Sequence, residues 1–198
     1  QLIEKLEKGE DFYDTQNFWF KKKDGSIVKN KMGSLVENLD EIPFPDRKLL
    51  YDADSKLRAR GSKLFMSNRG CPYKCTYCFN HSYNKIYKEQ AGDKKVFFSR
   101  TPDSIVDEIK WLQKSVVVKT VAFVDDVFTL KPQGWIKEFS KLYKKKIGLP
   151  FNGNVRASSI KEEDVKDLKE AGLTHVWMGV ECGDEKVANE IFLRATTN

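Results

Sequence analysis

Lys63-Leu64-Phe65-Met66-Ser67-Asn68-Arg69-Gly70-Cys71-Pro72-Tyr73-Lys74-Cys75-Thr76-Tyr77-Cys78 places three of the chain's four cysteines within eight residues, directly after a short apolar strand. The spacing Cys71-x-x-x-Cys75-x-x-Cys78 offers three thiolates rather than four. Iron–sulfur clusters are usually held by four Cys thiolates, so a loop supplying three leaves one iron of a [4Fe–4S] cube open to a substrate or cofactor. Other readings use the same residues. The three thiolates with His81 form a Cys3His zinc set, although structural zinc sites usually pair two short knuckles from separate segments. Cys75-Thr76-Tyr77-Cys78 alone has the spacing of a redox dithiol, which leaves Cys71 unexplained. A disulfide framework fits poorly in a Lys-rich chain of 198 residues, a length that needs no staples.

Outward from this loop the pattern alternates strand and helix. Lys63–Ser67 reads as the first strand. Thr101-Pro102-Asp103 opens a helix with a Thr cap, Pro at the first helical position and an acid in the first turn. Ile105, Ile109 and Leu112 then keep helical spacing. Val116–Val124 is a β-branched strand ending at Asp125-Asp126. Gln133–Ile147 reads as a helix with Trp135, Phe139 and Leu142 on one stripe, and Phe151–Val155 as a third strand. Ser159-x-x-Glu162 has the form of a capping box for a helix that closes near Gly172. His175–Val180 is a fourth strand and Asp184–Phe192 a fourth helix. Four successive βα units predict a parallel sheet with crossover helices, an α/β fold. The pattern alone does not choose between an open sheet and a barrel. In either, ligands bind at the C-terminal ends of the strands.

Residues 1–60 read as a linker segment and 61–198 as the core. Leu2–Lys8 is helix-like and stops at Gly9. Phe18-Trp19-Phe20 and Ser26-Ile27-Val28 flank Lys23-Asp24-Gly25, a hairpin turn signal. Leu39–Asp46 carries Pro43 and Pro45 and is expected to be an extended connector. The chain begins with Gln1 and ends on Arg194-Ala195-Thr196-Thr197-Asn198, just after a predicted helix. The expectation is a piece of a longer protein, its linker following a further N-terminal domain and its core incomplete at the C-terminus.

At the cysteine loop the sequence resembles the radical S-adenosylmethionine (SAM) enzymes, whose signature is Cys-x3-Cys-x2-Cys with an aromatic, here Tyr77, before the last Cys. The resemblance implies a partial barrel of six βα units, of which four are visible, with a [4Fe–4S] cluster on Cys71, Cys75 and Cys78. It also implies reductive cleavage of SAM to a 5′-deoxyadenosyl radical, with the amino and carboxylate groups of SAM on the open iron. By the same likeness Tyr77 lies near the adenine, with ordinary packing beneath the loop as the alternative. Asp125 or Asp126 takes the place of a Gly-Gly-Glu-like segment that this chain lacks, with a helix cap by Asp126 as the alternative. Arg156 offers a guanidinium suited to a carboxylate. Gly179-Val180-Glu181-Cys182-Gly183 resembles the Gly-Val-Glu-Ser-Gly of several such groups, so Glu181 is expected on the ribose hydroxyls or amino group. Cys182 is read as a small buried residue, and no residue is assigned a catalytic role of its own.

The order of Leu39-Asp40-Glu41-Ile42-Pro43-Phe44-Pro45-Asp46-Arg47, the cysteine loop, Phe123-Val124-Asp125-Asp126-Val127-Phe128-Thr129 and Gly179-Val180-Glu181 is most like the cobalamin-binding radical SAM enzymes. That likeness implies a cobalamin domain outside this chain, which has no Asp-x-His-x-x-Gly loop, and a methyltransferase or rearrangement reaction. A methylthiotransferase acting on tRNA shares Gly-Cys-x-x-x-Cys-Thr-Tyr-Cys, but those enzymes continue with Pro and an Arg-Gly pair where this chain has Phe79-Asn80-His81-Ser82-Tyr83. An electron donor such as flavodoxin or ferredoxin and a small-molecule substrate are the partners implied.

The net charge of +6 and pI near 9.0 invite a nucleic-acid reading. The lysines are spread along the chain beside acids, however, and runs such as Lys144-Lys145-Lys146 read as solvated surface. The composition, 40% hydrophobic and 32% charged, suits one core. No apolar run approaches the ~20 residues that span a bilayer, and thiols free for a cluster point to a reducing cytoplasm.

Overall fold

In the computed structural model, which describes residues 1–92 and 95–194, the linker opens with helix α1 (Leu2–Lys8), closed by Gly9 in the left-handed region. Strands β1 (Trp19–Lys21) and β2 (Ile27–Lys29) then pair antiparallel across the expected turn, where Asp24 Oδ1 accepts the Ser26 N–H at 2.9 Å. The connector differs from the expectation. Leu39–Glu41 forms a 3-10 turn capped by Asn38, followed by helices α2 (Arg47–Ala53) and α3 (Ser55–Ala59). The prolines extend only the residues before them, whereas the carboxylates of Asp46 and Asp54 take the free N–H groups of the next turn and start each helix.

Beyond residue 61 the core strands are β3 (Ser62–Phe65), β6 (Thr120–Phe123), β7 (Phe151–Val155) and β8 (Leu173–Met178). They form one parallel sheet in the order β3-β6-β7-β8. Each new strand adds on the same side, as in a barrel wall and unlike a doubly wound sheet, whose order reverses. A short ribbon, β4 (Asn68–Arg69) with β5 (Phe98–Ser99), flanks the cysteine loop. Helix α4 (Asn80–Gln90), which carries no buried residue and gave no periodic signal, follows the loop directly.

The covering helices are α5 (Pro102–Gln113), α6 (Trp135–Lys146) and α7 (Glu162–Ala171), with α6 packed between α5 and α7. Thr101 caps α5 as expected, and Ile105, Ile109 and Leu112 are buried with Phe65, Val121, Phe123 and Phe151. On α6 the buried stripe is Trp135, Ile136, Phe139 and Tyr143, with Leu142 at its margin. Trp135 and Phe139 stack with ring centroids 5.0 Å apart.

Other expectations shift. The ladder reaches only Thr120–Phe123, because the Ser115 and Val116 N–H groups still close the end of α5 on the Leu112 carbonyl. The Ser159–Glu162 capping box does not form: Ser159 Oγ is engaged by the Arg156 carbonyl and Thr129, and Lys161 N–H bonds Asp164 at the start of α7. The fourth helix is a single π-type turn, Val187–Ile191. The last residues, 195–198, lie outside the described part. Strand β8 is one edge of the sheet and leaves Val176, Trp177 and Met178 exposed. No helix among the described residues is long and apolar enough to cross a membrane.

Candidate functional site: a cysteine-lined cavity at the C-terminal strand ends

The loop after β3 is held at both ends. Asp125, fully buried at the end of β6, accepts the N–H groups of Ser67 at 2.7 Å and Asn68 at 3.0 Å on Oδ1, and the Ser67 hydroxyl on Oδ2. Lys131 Nζ donates to Ser67 Oγ at 2.6 Å and lies 3.7 Å from Asp125 Oδ2. Gly70 then turns the chain at φ 82°, against the Val96 carbonyl oxygen, where any Cβ would collide. Only glycine meets both demands. Downstream, Asn84 of α4 donates to the Cys71 carbonyl at 2.7 Å. The Thr76 N–H and hydroxyl reach the Phe192 and Ile191 carbonyls at 3.1 and 2.8 Å, so the terminal π-type turn closes over the loop.

This clamp turns all three thiols, each free, into one cavity of about 400 Å³, whose walls include Tyr77, Asp126, Asn154, Arg156, Trp177 and Glu181. Of the eight residues expected at the site, the structure brings seven together. Asp125 is the eighth, and its oxygens are already bonded behind the loop. Asp126, one residue on, is exposed and faces the cavity. Glu181 adopts φ 65°, a left-handed conformation uncommon for a non-glycine residue, of the kind found at binding sites.

Arg194 gave no sequence signal. Its guanidinium bonds Tyr77 Oη and the Gly179 carbonyl and lies 3.6 Å from Glu181, joining the cysteine loop to the end of β8. Cys182 is half-exposed rather than buried, its sulfur accepting the Asp184 N–H at 3.4 Å, and it does not line the cavity.

Arg156 is 5% exposed. Nε donates to Ser158 at 2.8 Å, Nη1 to Cys75 Sγ at 3.4 Å, and the guanidinium carbon stands 3.9 Å from the Tyr73 ring centroid. Its Nη2 is buried with no partner. Burial pushes the Cys71 thiol up, and the negative charge of Asp126 adds to the shift. Burial likewise pushes the Tyr77 phenol up.

Among the described residues no three His, Cys, Asp or Glu side chains converge on a single metal ion. A cubane takes its thiolates on separate irons, so it needs three sulfurs around one cavity rather than around one point. Three free thiols and an orphaned guanidinium nitrogen from residues lining the same cavity fit such a group. His81 stands outside this set. Its Nδ1 lies 2.9 Å from the Cys78 carbonyl, and its ring lines a different cavity, of about 670 Å³, with Lys74, Lys85 and Lys88.

The sequence profile of the Radical SAM superfamily matches residues 66–197. The chain is 23% identical over 188 residues to an uncharacterized methyltransferase of Pyrococcus horikoshii, covering 94% of this chain and 39% of that protein. It is 28% identical over 162 residues to the anaerobic magnesium-protoporphyrin IX monomethyl ester cyclase of Rubrivivax gelatinosus, covering 80% of this chain and 27% of that one. Among solved structures it is similar to the radical S-adenosylmethionine methyltransferase TsrM of Kitasatospora setae, with a TM-score of 0.65 at 17% identity, over 95% of this chain and 36% of TsrM. That likeness is one of fold. The chain spans 39% or less of each of these proteins.

Proposed function

The chain belongs to the radical SAM superfamily, and from that premise we propose that it forms the cluster- and SAM-binding part of a radical SAM enzyme. The observation that carries this is the shared cavity, lined by Cys71, Cys75 and Cys78 together with Asp126, Arg156 and Glu181. Cys71, Cys75 and Cys78 would hold a [4Fe–4S] cluster, which when bound supplies one low-potential electron to the sulfonium of SAM. The protein's own work is binding, orientation and exclusion of water. Asp126 and Glu181 offer acceptors for the ammonium and ribose hydroxyls. The free Nη2 of Arg156 offers a donor for the carboxylate. Tyr77, held through Arg194, forms the side toward which the adenine would lie.

Cobalamin use by the whole protein is part of this proposal. It is supported by the order of motifs that begins with the Ile42-Pro43-Phe44-Pro45 connector. The reaction class proposed is methyl transfer, which two of the relatives' names carry, or a rearrangement, and the substrate class a small molecule, as the tryptophan bound to TsrM is. A flavodoxin- or ferredoxin-like carrier would supply the electron.

The test is to reconstitute the chain anaerobically with iron and sulfide, reduce it with dithionite and follow SAM by chromatography. Methionine and 5′-deoxyadenosine should form in equal amounts, and Cys75→Ala should abolish both. SAM left intact by a chain carrying its full cluster would contradict the proposal.

A further inference from the structure

Four arginines of this chain are largely buried, and three of them meet a carboxylate. Arg47 and Arg100 converge on Glu108, and Arg194 lies beside Glu181. Arg156 is the exception. Its contacts are a serine hydroxyl, an aromatic face and the sulfur of Cys75. No carboxylate among the described residues pairs with it.

A guanidinium keeps its proton under all ordinary conditions. Burying it without a counter-charge is unfavourable, and stacking on Tyr73 offsets only part of that. Among these contacts, the one that can carry negative charge against Arg156 is the sulfur at 3.4 Å.

We infer that Arg156 is a positioning residue for the iron–sulfur centre: through Cys75 Sγ it raises the reduction potential of the cluster. The inference rests on the reading of Cys71, Cys75 and Cys78 as cluster ligands. Hydrogen bonds to the ligand sulfurs and net charge set such potentials, and partners beyond the ligands tune a metal centre's electronics. A positive donor beside Cys75 favours the reduced cluster, which carries one more negative charge. Ser158 and Tyr73 fix the guanidinium from two sides, so that Nη1 meets the sulfur while Nη2 stays free.

The experiment is a redox titration of the reconstituted chain, monitored by EPR and run without SAM so that any role of Nη2 toward a carboxylate does not contribute. Wild type, Arg156→Gln and Arg156→Lys are compared at matched iron content. Arg156→Gln should shift the midpoint to a more negative potential, and Arg156→Lys, which keeps charge and donor, should fall between the two. An Arg156→Gln chain with full iron and the wild-type midpoint would overturn the inference alone. A wild-type chain that assembles no cluster would overturn it together with the proposed function. If Arg156→Gln fails to fold or to hold iron, Tyr73→Leu carries the test, because it removes the platform and keeps the charge. A smaller negative shift then supports the inference, and an unchanged midpoint refutes it.

Discussion

The carboxylate of Asp125 receives the Ser67 N–H at 2.7 Å, so the end of β6 holds the end of β3 at the point where the cysteine loop departs. Lys131, buried against both residues, completes the group. Removing one member leaves buried charge uncompensated. Asp125→Ala should therefore cost about 3–5 kcal/mol of stability, measured by urea unfolding. Asp126→Ala, at an exposed position, should stay within about 0.5 kcal/mol while weakening SAM binding. Equal losses of stability at the two positions would contradict this division of roles.

The same group sets a pH dependence. Burial lowers Lys131 from 10.5 to about 8, partly offset by Asp125. Below the folded value both folded and unfolded chains carry the proton. Between the two values the unfolded chain binds more protons, so stability rises with pH across that window, by on the order of 3 kcal/mol in full. Cys71 and Tyr143 work against it above their ordinary values, because burial raises both and the folded chain then keeps protons that the unfolded chain loses. Unfolding curves from pH about 7 to about 10 should show the rise, and Lys131→Met should flatten it. A flat wild-type profile would contradict the burial of a charged lysine.

Glu108, 1% exposed, accepts from Arg47 Nε and Nη2 on Oε1 at 3.2 and 2.7 Å and from Arg100 on Oε2. Arg47 begins α2, so this carboxylate ties the linker to α5. Glu108→Ala should lose about 3–5 kcal/mol and speed proteolytic cleavage between residues 39 and 60. Cleavage at the wild-type rate would show that the linker is held elsewhere.

Gly70→Ala should lower iron uptake and cost more than about 1 kcal/mol, because an alanine there is strained in backbone and blocked by Val96. Iron content after reconstitution is the readout. Wild-type uptake would mean that the loop can find another path.

Much of this was legible wherever one local signal sufficed. The Thr101 cap and Pro102 set the start of α5 to the residue, and Phe151–Val155 formed the third strand expected from the βα succession. The three cysteines stood out as a group by spacing, and the fold brings them to one cavity. The helices that went unseen lack a buried stripe. Helix α4 buries nothing, and α2 exposes Leu49 and Leu50, so periodicity could not mark them. Ser159 offered a cap by local spacing but was drawn to Thr129 across the fold. Telling Asp125 from Asp126, or finding Arg194, required knowing which strand end lies beside which, and that is set by the tertiary fold.

The most direct measurement is an iron count with an EPR spectrum of the anaerobically reconstituted, reduced chain, with and without SAM. About four irons per chain and a signal altered by SAM are the predicted result. Zinc in place of iron, or a cluster whose spectrum ignores SAM, would contradict the assignment of Cys71, Cys75 and Cys78 to an open-iron cluster.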